Sequence, residues 1–111
     1  MADEDRRARL GELADEIEAE MRRLGVWSES PPSEERVLEG GAFGHGTVPF
    51  EYWIQVVLLT RLREVAAGEI PIPGSSSVGV QAAREWDTAG YDTLRLSELV
   101  TEVDAVAEGR R

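Results

Sequence analysis

The chain contains 111 residues, with 22 acidic side chains against 12 basic ones, which gives a formal net charge of −10. All 12 basic residues are arginine, cysteine is absent, and there is one histidine. This composition excludes thiolate chemistry, disulfides, iron–sulfur clusters and lysine Schiff bases. Because phosphate contacts need clustered positive charge, the acidic balance also argues against direct nucleic-acid binding.

The length is typical of a single domain, so we expect residues 1–111 to form one helical domain. The longest apolar run, residues 56–59, is far shorter than the roughly 20 residues that a membrane span needs. The first residues are charged and lack the apolar segment of a secretory signal. We therefore predict a cytoplasmic protein without membrane association, and the composition suggests no metal or cofactor.

The first predicted element is an amphipathic helix over residues 4–24. Its apolar side chains recur at helical spacing, at Leu10, Leu13, Ala14, Ile17, Met21 and Leu24. Asp3 or Asp5 is expected to cap its start, and Gly25 to end it in a Schellman motif with apolar Val26. The stripe is short for a free coiled coil, so we expect it to pack within the domain, with a homodimer left open.

A long connection follows over residues 26–48 and contains a double proline and a run of glycines. Ser33 is placed to cap one short helical turn that ends near Leu38. A connection of about 20 residues inside a compact domain is unusual and is often functional. Residues 26–48 are therefore a candidate functional segment.

Three more helices are predicted in the second half of the chain. The first covers residues 50–67, with Thr47 as its cap, and is apolar on almost every side, which is typical of a central helix. Residues 70–74 contain two prolines and must be extended. Further helices are predicted over residues 77–88 and 93–107. The pattern predicts an all-α fold, a small four-helix bundle with a long Pro/Gly-rich loop between helices one and two.

Several motifs occur in a fixed order along the chain. Residues 25–33 read G-x-W-x-x-x-P-P-S, and residues 49–55 read P-F-E-x-W-I-Q. The chain continues with Thr-Arg-Leu at residues 60–62 and Ile-Pro-Ile-Pro from residue 70. In order and spacing these motifs resemble those of the YqcC-like family, and Phe43 and Thr47 match its intervening segment. The chain departs from the family pattern at Gly41, Ala42, Gly46, Thr60, Val80 and Gln81.

The resemblance implies a small bacterial all-helical protein without an established activity. Genes of this family commonly lie beside that of a tRNA pseudouridine synthase, which implies an accessory role. The leading hypothesis is therefore a non-enzymatic protein that binds another protein, with a tRNA pseudouridine synthase as the suggested partner.

Six residues are candidates for the binding surface: Trp27, Phe43, Thr47, Glu51, Gln55 and Arg61. Trp27 and Phe43 would supply apolar anchors, because aromatic side chains bring large contact areas to an interface. Thr47 and Glu51 would hold the long loop against the helices.

The polar residues of the central helix leave an alternative open. Glu51 and Gln55 lie one turn apart and either bond the loop backbone or recognise a ligand. Arg61 stands at helical spacing from apolar residues, so it needs an ion-pair partner or an anionic ligand. The alternative function is small-molecule binding or catalysis in a pocket under the 26–48 loop around Arg61. His45 has no neighbouring serine or carboxylate to complete a triad, and no catalytic residue is predicted.

Overall fold

The computed structural model describes residues 2–39 and 48–109, which form five helices and no strand. Their segments are Asp3–Leu24 (α1), Glu34–Leu38 (α2), Phe50–Trp53 (α3), Leu59–Ala66 (α4), Val78–Glu85 (α5) and Leu94–Ala107 (α6). A π-helical turn, Ile54–Leu58, joins α3 to α4, so these two form one continuous helix. The predicted all-α class is confirmed over these residues. None of the helices in the described ranges has the length and apolar content needed to span a membrane.

The two ends of α1 differ in how well the sequence predicts them. The residue before the helix is Ala2, and no side chain caps it, so the expectation that Asp3 or Asp5 acts as the cap is wrong. Asp3 lies inside the first turn instead, where its charge favours the positive end of the helix dipole. The other end is as predicted: Gly25 is left-handed at φ 75°, and the N–H of Val26 donates to a carbonyl of the last turn at 3.0 Å.

The other helices agree with the sequence-based predictions to different degrees. Helix α2 is the turn predicted after Ser33, whose side-chain oxygen accepts from the N–H of Arg36 at 3.1 Å. Helix α5 is shorter than the predicted range 77–88, because the backbone leaves the helical conformation at Trp86, with φ −100°. Helix α6 begins one residue after the predicted start and ends where predicted.

The core forms where α1 packs on α4 and α6, and where α5 packs on α6. The predicted stripe of α1 is buried at Leu10, Leu13, Ala14, Ile17 and Met21. Leu24 is half-buried at the end of the stripe. Phe50 stacks on Trp53 at 5.7 Å between ring centres and meets Trp86 edge-on at 5.4 Å. These three rings join the central helix to α5.

A buried carboxylate on α6 caps α5. Asp104 Oδ1 accepts the N–H of Val78 at 3.0 Å and the hydroxyl of Ser76, and its Oδ2 accepts the N–H of Gly79 at 2.7 Å. The first amides of a helix have no partner inside the helix, so this carboxylate satisfies them from a neighbouring element. A Cβ at Gly79 would lie 2.8 Å from Oγ1 of Thr101, so glycine permits this close approach.

We predict that Gly79→Ala lowers the free energy of unfolding by about 1–2 kcal/mol, although alanine has the higher helix propensity by about 1 kcal/mol. The added methyl group would lie 3.0 Å from Asp104 Oδ2 and 3.2 Å from the Cα of Thr101. The Cα is a backbone atom, so it cannot move away without displacing α6. Urea denaturation measures the change. Gly90→Ala is the control, because its Cβ would meet nothing within 4 Å. An unchanged or raised stability of Gly79→Ala contradicts the prediction.

Candidate functional site

A surface cleft of about 350 Å³ lies between the segment that follows α1 and the start of the central helix. Its lining residues are Gly25, Val26, Trp27, Ser28, Pro49, Glu51 and Tyr52. The structure therefore brings together two of the predicted residues, Trp27 and Glu51. A third, Gln55, is bonded to a lining residue. The described residues do not include Phe43, His45 or Thr47.

Gln55 is buried, and its side-chain amide pairs with the backbone of Ser28 in both directions. The N–H of Ser28 donates to Gln55 Oε1 at 3.0 Å, and Gln55 Nε2 donates to the carbonyl of Ser28 at 2.7 Å. The side chain thus supplies the two hydrogen bonds that a neighbouring strand would supply, and both backbone groups of Ser28 are satisfied. Of the two roles left open for Gln55, this contact is the one that orders the connection.

Gln55 lies within the π-helical turn. Within it, the N–H of Leu59 bonds the carbonyl of Ile54, five residues earlier. A π turn holds one residue more than an α-helical turn, so side chains after it are rotated relative to those before it. Such turns are frequent at functional sites. No simple sequence signal marked this turn, because its residues fit an α-helical pattern equally well.

Glu51 is half-buried, and its Oε2 accepts a hydrogen bond from the hydroxyl of Tyr91 at 2.7 Å. Tyr91 lies in the connection between α5 and α6. Burial, together with the bond to the Glu51 carboxylate, raises the pKa of the Tyr91 phenol above its ordinary value. Sequence reasoning missed this partner because Tyr91 is 40 residues away and belongs to no periodic pattern.

Trp27 is half-buried, whereas Trp53 and Trp86 are buried in the core. The guanidinium of Arg22 lies 4.8 Å from the centre of the Trp27 ring, close enough for a cation–π contact. Arg22 also pairs with Glu18 at 2.9 Å, and that bond is the largest cause of a lowered Glu18 pKa. The indole is thus held from one side while part of it remains open to the cleft.

Arg61 lies apart from this cleft, and its side chain is 47% exposed. Its Nη2 is 2.7 Å from Oε1 of Glu34 on α2, and its Nη1 is 3.4 Å from Glu64. The expectation that Arg61 falls on an apolar face is wrong. The buried positions of α4 are Leu59, Leu62 and Val65. Because the π turn shifts the side-chain positions after it, Arg61 lies outside the buried set and its charge meets two acids of the same chain.

Two arginines at the start of α1 have structural roles that the sequence pattern did not reveal. Arg6 Nε donates to the carbonyl of Val106 at 3.0 Å. Arg7 Nη1 donates to the carbonyls of Val65 and Ile70 at 2.8 and 2.9 Å. The last carbonyls of a helix have no partner within it, and a cation there also favours the helix dipole. Arg6 and Arg7 therefore tie α1 to the ends of α6 and α4.

The geometry offers no ready-made metal centre: within residues 2–39 and 48–109, no group of three or more His, Asp or Glu side chains gathers to hold an ion. A family model described as DUF446, tRNA pseudouridine synthase C, matches residues 9–106. The chain belongs to this small, uncharacterised family. The region matched by the DUF446 model includes the whole cleft and all of α2 to α5. No curated protein and no solved structure matches the chain.

We predict that Gln55→Leu destabilises the protein by about 2–3 kcal/mol, because it leaves the N–H and the carbonyl of Ser28 without partners while keeping a similar side-chain volume. Urea denaturation gives the stability change, and amide hydrogen exchange should show lost protection of the Ser28 N–H. Ser28→Ala is the matched control, since it retains both backbone bonds to Gln55. If the two variants lose the same amount of stability, the hydrogen bonds between Gln55 and the Ser28 backbone are not the cause of the loss.

We also predict a loss of stability above about pH 10, the ordinary pKa of tyrosine, that depends on Tyr91. The pKa of Tyr91 is raised in the folded protein, so the folded state keeps this proton when the unfolded state releases it. The contribution is therefore complete below the unfolded pKa and is lost as pH rises towards the folded one. Urea denaturation at several alkaline pH values should show a shallower decline for Tyr91→Phe. If the free energy of unfolding falls equally steeply with pH in the wild type and in Tyr91→Phe, Tyr91 is not the cause of the loss.

Proposed function

We propose that the protein is a non-enzymatic, protein-binding accessory module of the YqcC-like kind, and that its partner is a tRNA pseudouridine synthase. The observation that carries this proposal is the partly open indole of Trp27 in a cleft whose wall is fixed by Gln55. The description of the family adds support, because it names such a synthase.

The cleft has the features of an interface anchor site. Tryptophan is among the residue types that contribute most to binding energy at protein interfaces, especially beside a pocket. Here the ring is held by Arg22, and the adjacent backbone at Ser28 is held by Gln55. A surface that is already ordered loses less conformational entropy on binding. The arrangement therefore suits a partner that inserts a side chain between Trp27 and Tyr52.

The charge of the chain supports the same class of partner. An enzyme that binds tRNA presents positive side chains, because it must contact phosphates. The present chain carries a net charge of −10, and its cleft contains the carboxylate of Glu51. Opposite charges steer two proteins together and favour one orientation. A basic synthase surface and this acidic chain are complementary in that sense.

The alternative of an anionic ligand bound near Arg61 has less support. The guanidinium of Arg61 is occupied by Glu34 and Glu64, and an anion would have to displace these acids. The cleft itself contains Glu51, whose negative charge would repel an anion. These contacts favour a protein partner over an anionic small molecule.

The proposal is tested by titrating the protein with a purified tRNA pseudouridine synthase of the same host in a calorimeter. We expect binding by the wild type, and at least a tenfold weaker dissociation constant, about 1.4 kcal/mol, for Trp27→Ala. Arg61→Ala is the matched control and should bind as the wild type does. Thermal unfolding of both variants shows whether they remain folded. Affinity should fall as salt is added, because salt screens attraction between opposite charges.

Two outcomes would contradict this proposal. The first is an absence of binding by the wild type at protein concentrations of about 100 μM, a level at which weak specific complexes are detected. The second is a loss of binding in Arg61→Ala without a loss in Trp27→Ala, which would move the binding site away from the cleft.

A further inference from the structure

Two neighbouring grooves lie along the exposed side of α6 and share the residue Thr101. The first, of about 760 Å³, lies between α1 and α6 and is lined in part by Leu94 and Glu98. The second, of about 840 Å³, lies between α5 and α6 and is lined in part by Val80 and Ala83. We refer to this continuous surface as the α6 face. It shares no lining residue with the Trp27 cleft.

The α6 face carries the most exposed large apolar side chains of the described residues. Leu94 is 67% exposed and Val80 is 59% exposed, and the next, Leu38 on α2, is 37% exposed. Leu94 and Val80 each line one of the two grooves. Removing both side chains from water would favour association.

The charges of the α6 face are balanced, in contrast to the chain as a whole. Its charged lining residues, apart from the buried cap Asp104, are Arg9, Arg84, Arg95, Asp87, Glu98 and Glu102. A basic partner would favour an acidic face, and an acidic partner a basic one. A face with equal numbers of both signs lets each sign meet its opposite on another copy of itself, and it repels that copy less than a uniformly acidic face would. This balance favours a second copy of the chain over the basic partner proposed for the cleft.

We infer that the α6 face binds a second copy of this chain in a symmetric dimer, with the two α6 helices packed antiparallel. Leu94 and Thr101 are seven residues apart, so they lie on one side of the helix two turns from each other. In a two-fold dimer every contact is made twice. An axis near Ser97 therefore places Leu94 of each copy against Thr101 of the other. There it meets the groove between α5 and α6, whose lining includes Val80 and Ala83.

The same arrangement gives the charged residues better partners. Within one chain, Arg95 reaches Glu16 and Glu98 only at 3.5 and 3.6 Å, longer than a normal charge-assisted hydrogen bond. In the antiparallel pair, Arg95 of each copy faces the stretch of α6 that carries Glu98 and Glu102 of the other. Arg95 of each copy thus meets acidic residues of the other, whereas Glu98, about one residue from the axis, also lies near its own copy.

A cysteine placed at the axis tests the geometry, because the natural sequence has no cysteine. Residues at a two-fold axis meet their own copies, so Ser97→Cys should form a disulfide-linked dimer under mild oxidation. Ala19→Cys, on an exposed position of α1, is the matched control and should remain largely monomeric. Non-reducing electrophoresis gives the cross-linked fraction. Equal cross-linking of the two variants, or none in Ser97→Cys, would overturn the antiparallel arrangement.

Sedimentation equilibrium tests the dimer itself. We expect the wild type to approach twice the 12.2 kDa chain mass as concentration rises, and Leu94→Glu to raise the dissociation constant at least tenfold. Leu38→Glu, also an exposed leucine, should leave it unchanged. Added salt should strengthen the dimer, because it screens repulsion between two chains of like charge. A wild type that stays monomeric at about 500 μM, or a dimer unaffected by Leu94→Glu, would overturn the inference.

Discussion

The two-way hydrogen bonding between the amide of Gln55 and the backbone of Ser28 fixes the connection after α1 onto the central helix. The position of Trp27, the residue immediately before Ser28, depends on it. The bond requires a polar side chain at a buried point of an apolar helix, which is costly unless both of its polar ends are satisfied. Ser28 satisfies both ends, so the buried amide and the ordered connection stabilise each other.

Helix α1 links the remaining elements through its first turns as well as through its apolar stripe. Arg6 bonds a carbonyl at the end of α6, and Arg7 bonds carbonyls at and after the end of α4. Near the same end of α6, Asp104 caps the first turn of α5. Each helix end named here is thus satisfied by a charged side chain from another helix. Such contacts tie the ends of helices that would otherwise fray, and they add directionality to a core that is otherwise apolar.

Sequence reasoning succeeded where the physical cause is local. The bounds of α1 and α6 and the Schellman motif at Gly25 follow from side-chain spacing and from glycine chemistry, which a single segment reveals. For Arg61 the expected ion pair with an acid is present, with Glu34 of α2, but the expected apolar surroundings are not, because the π turn shifts the register of the central helix without a sequence mark. Sequence reasoning also missed the pair of Glu51 and Tyr91, which only the tertiary fold brings together. The residues that line the cleft were therefore partly predictable, whereas their partners were not.

The net charge of −10 acts differently at the two surfaces of the molecule. Among the residues that line the cleft of Trp27 the charged one is Glu51, so attraction to a basic protein would add to the contact of the indole in the proposed complex. In the proposed dimer Arg95 meets charges of opposite sign, while Glu98 beside the axis and the distant charges of the two acidic chains repel. Added salt should therefore weaken the proposed complex at the cleft, where opposite charges attract, and strengthen the proposed dimer, where the two acidic chains repel. Since Leu94 lies outside the cleft, a chain bound to a partner through Trp27 keeps its α6 face available, and the two associations are compatible in one assembly.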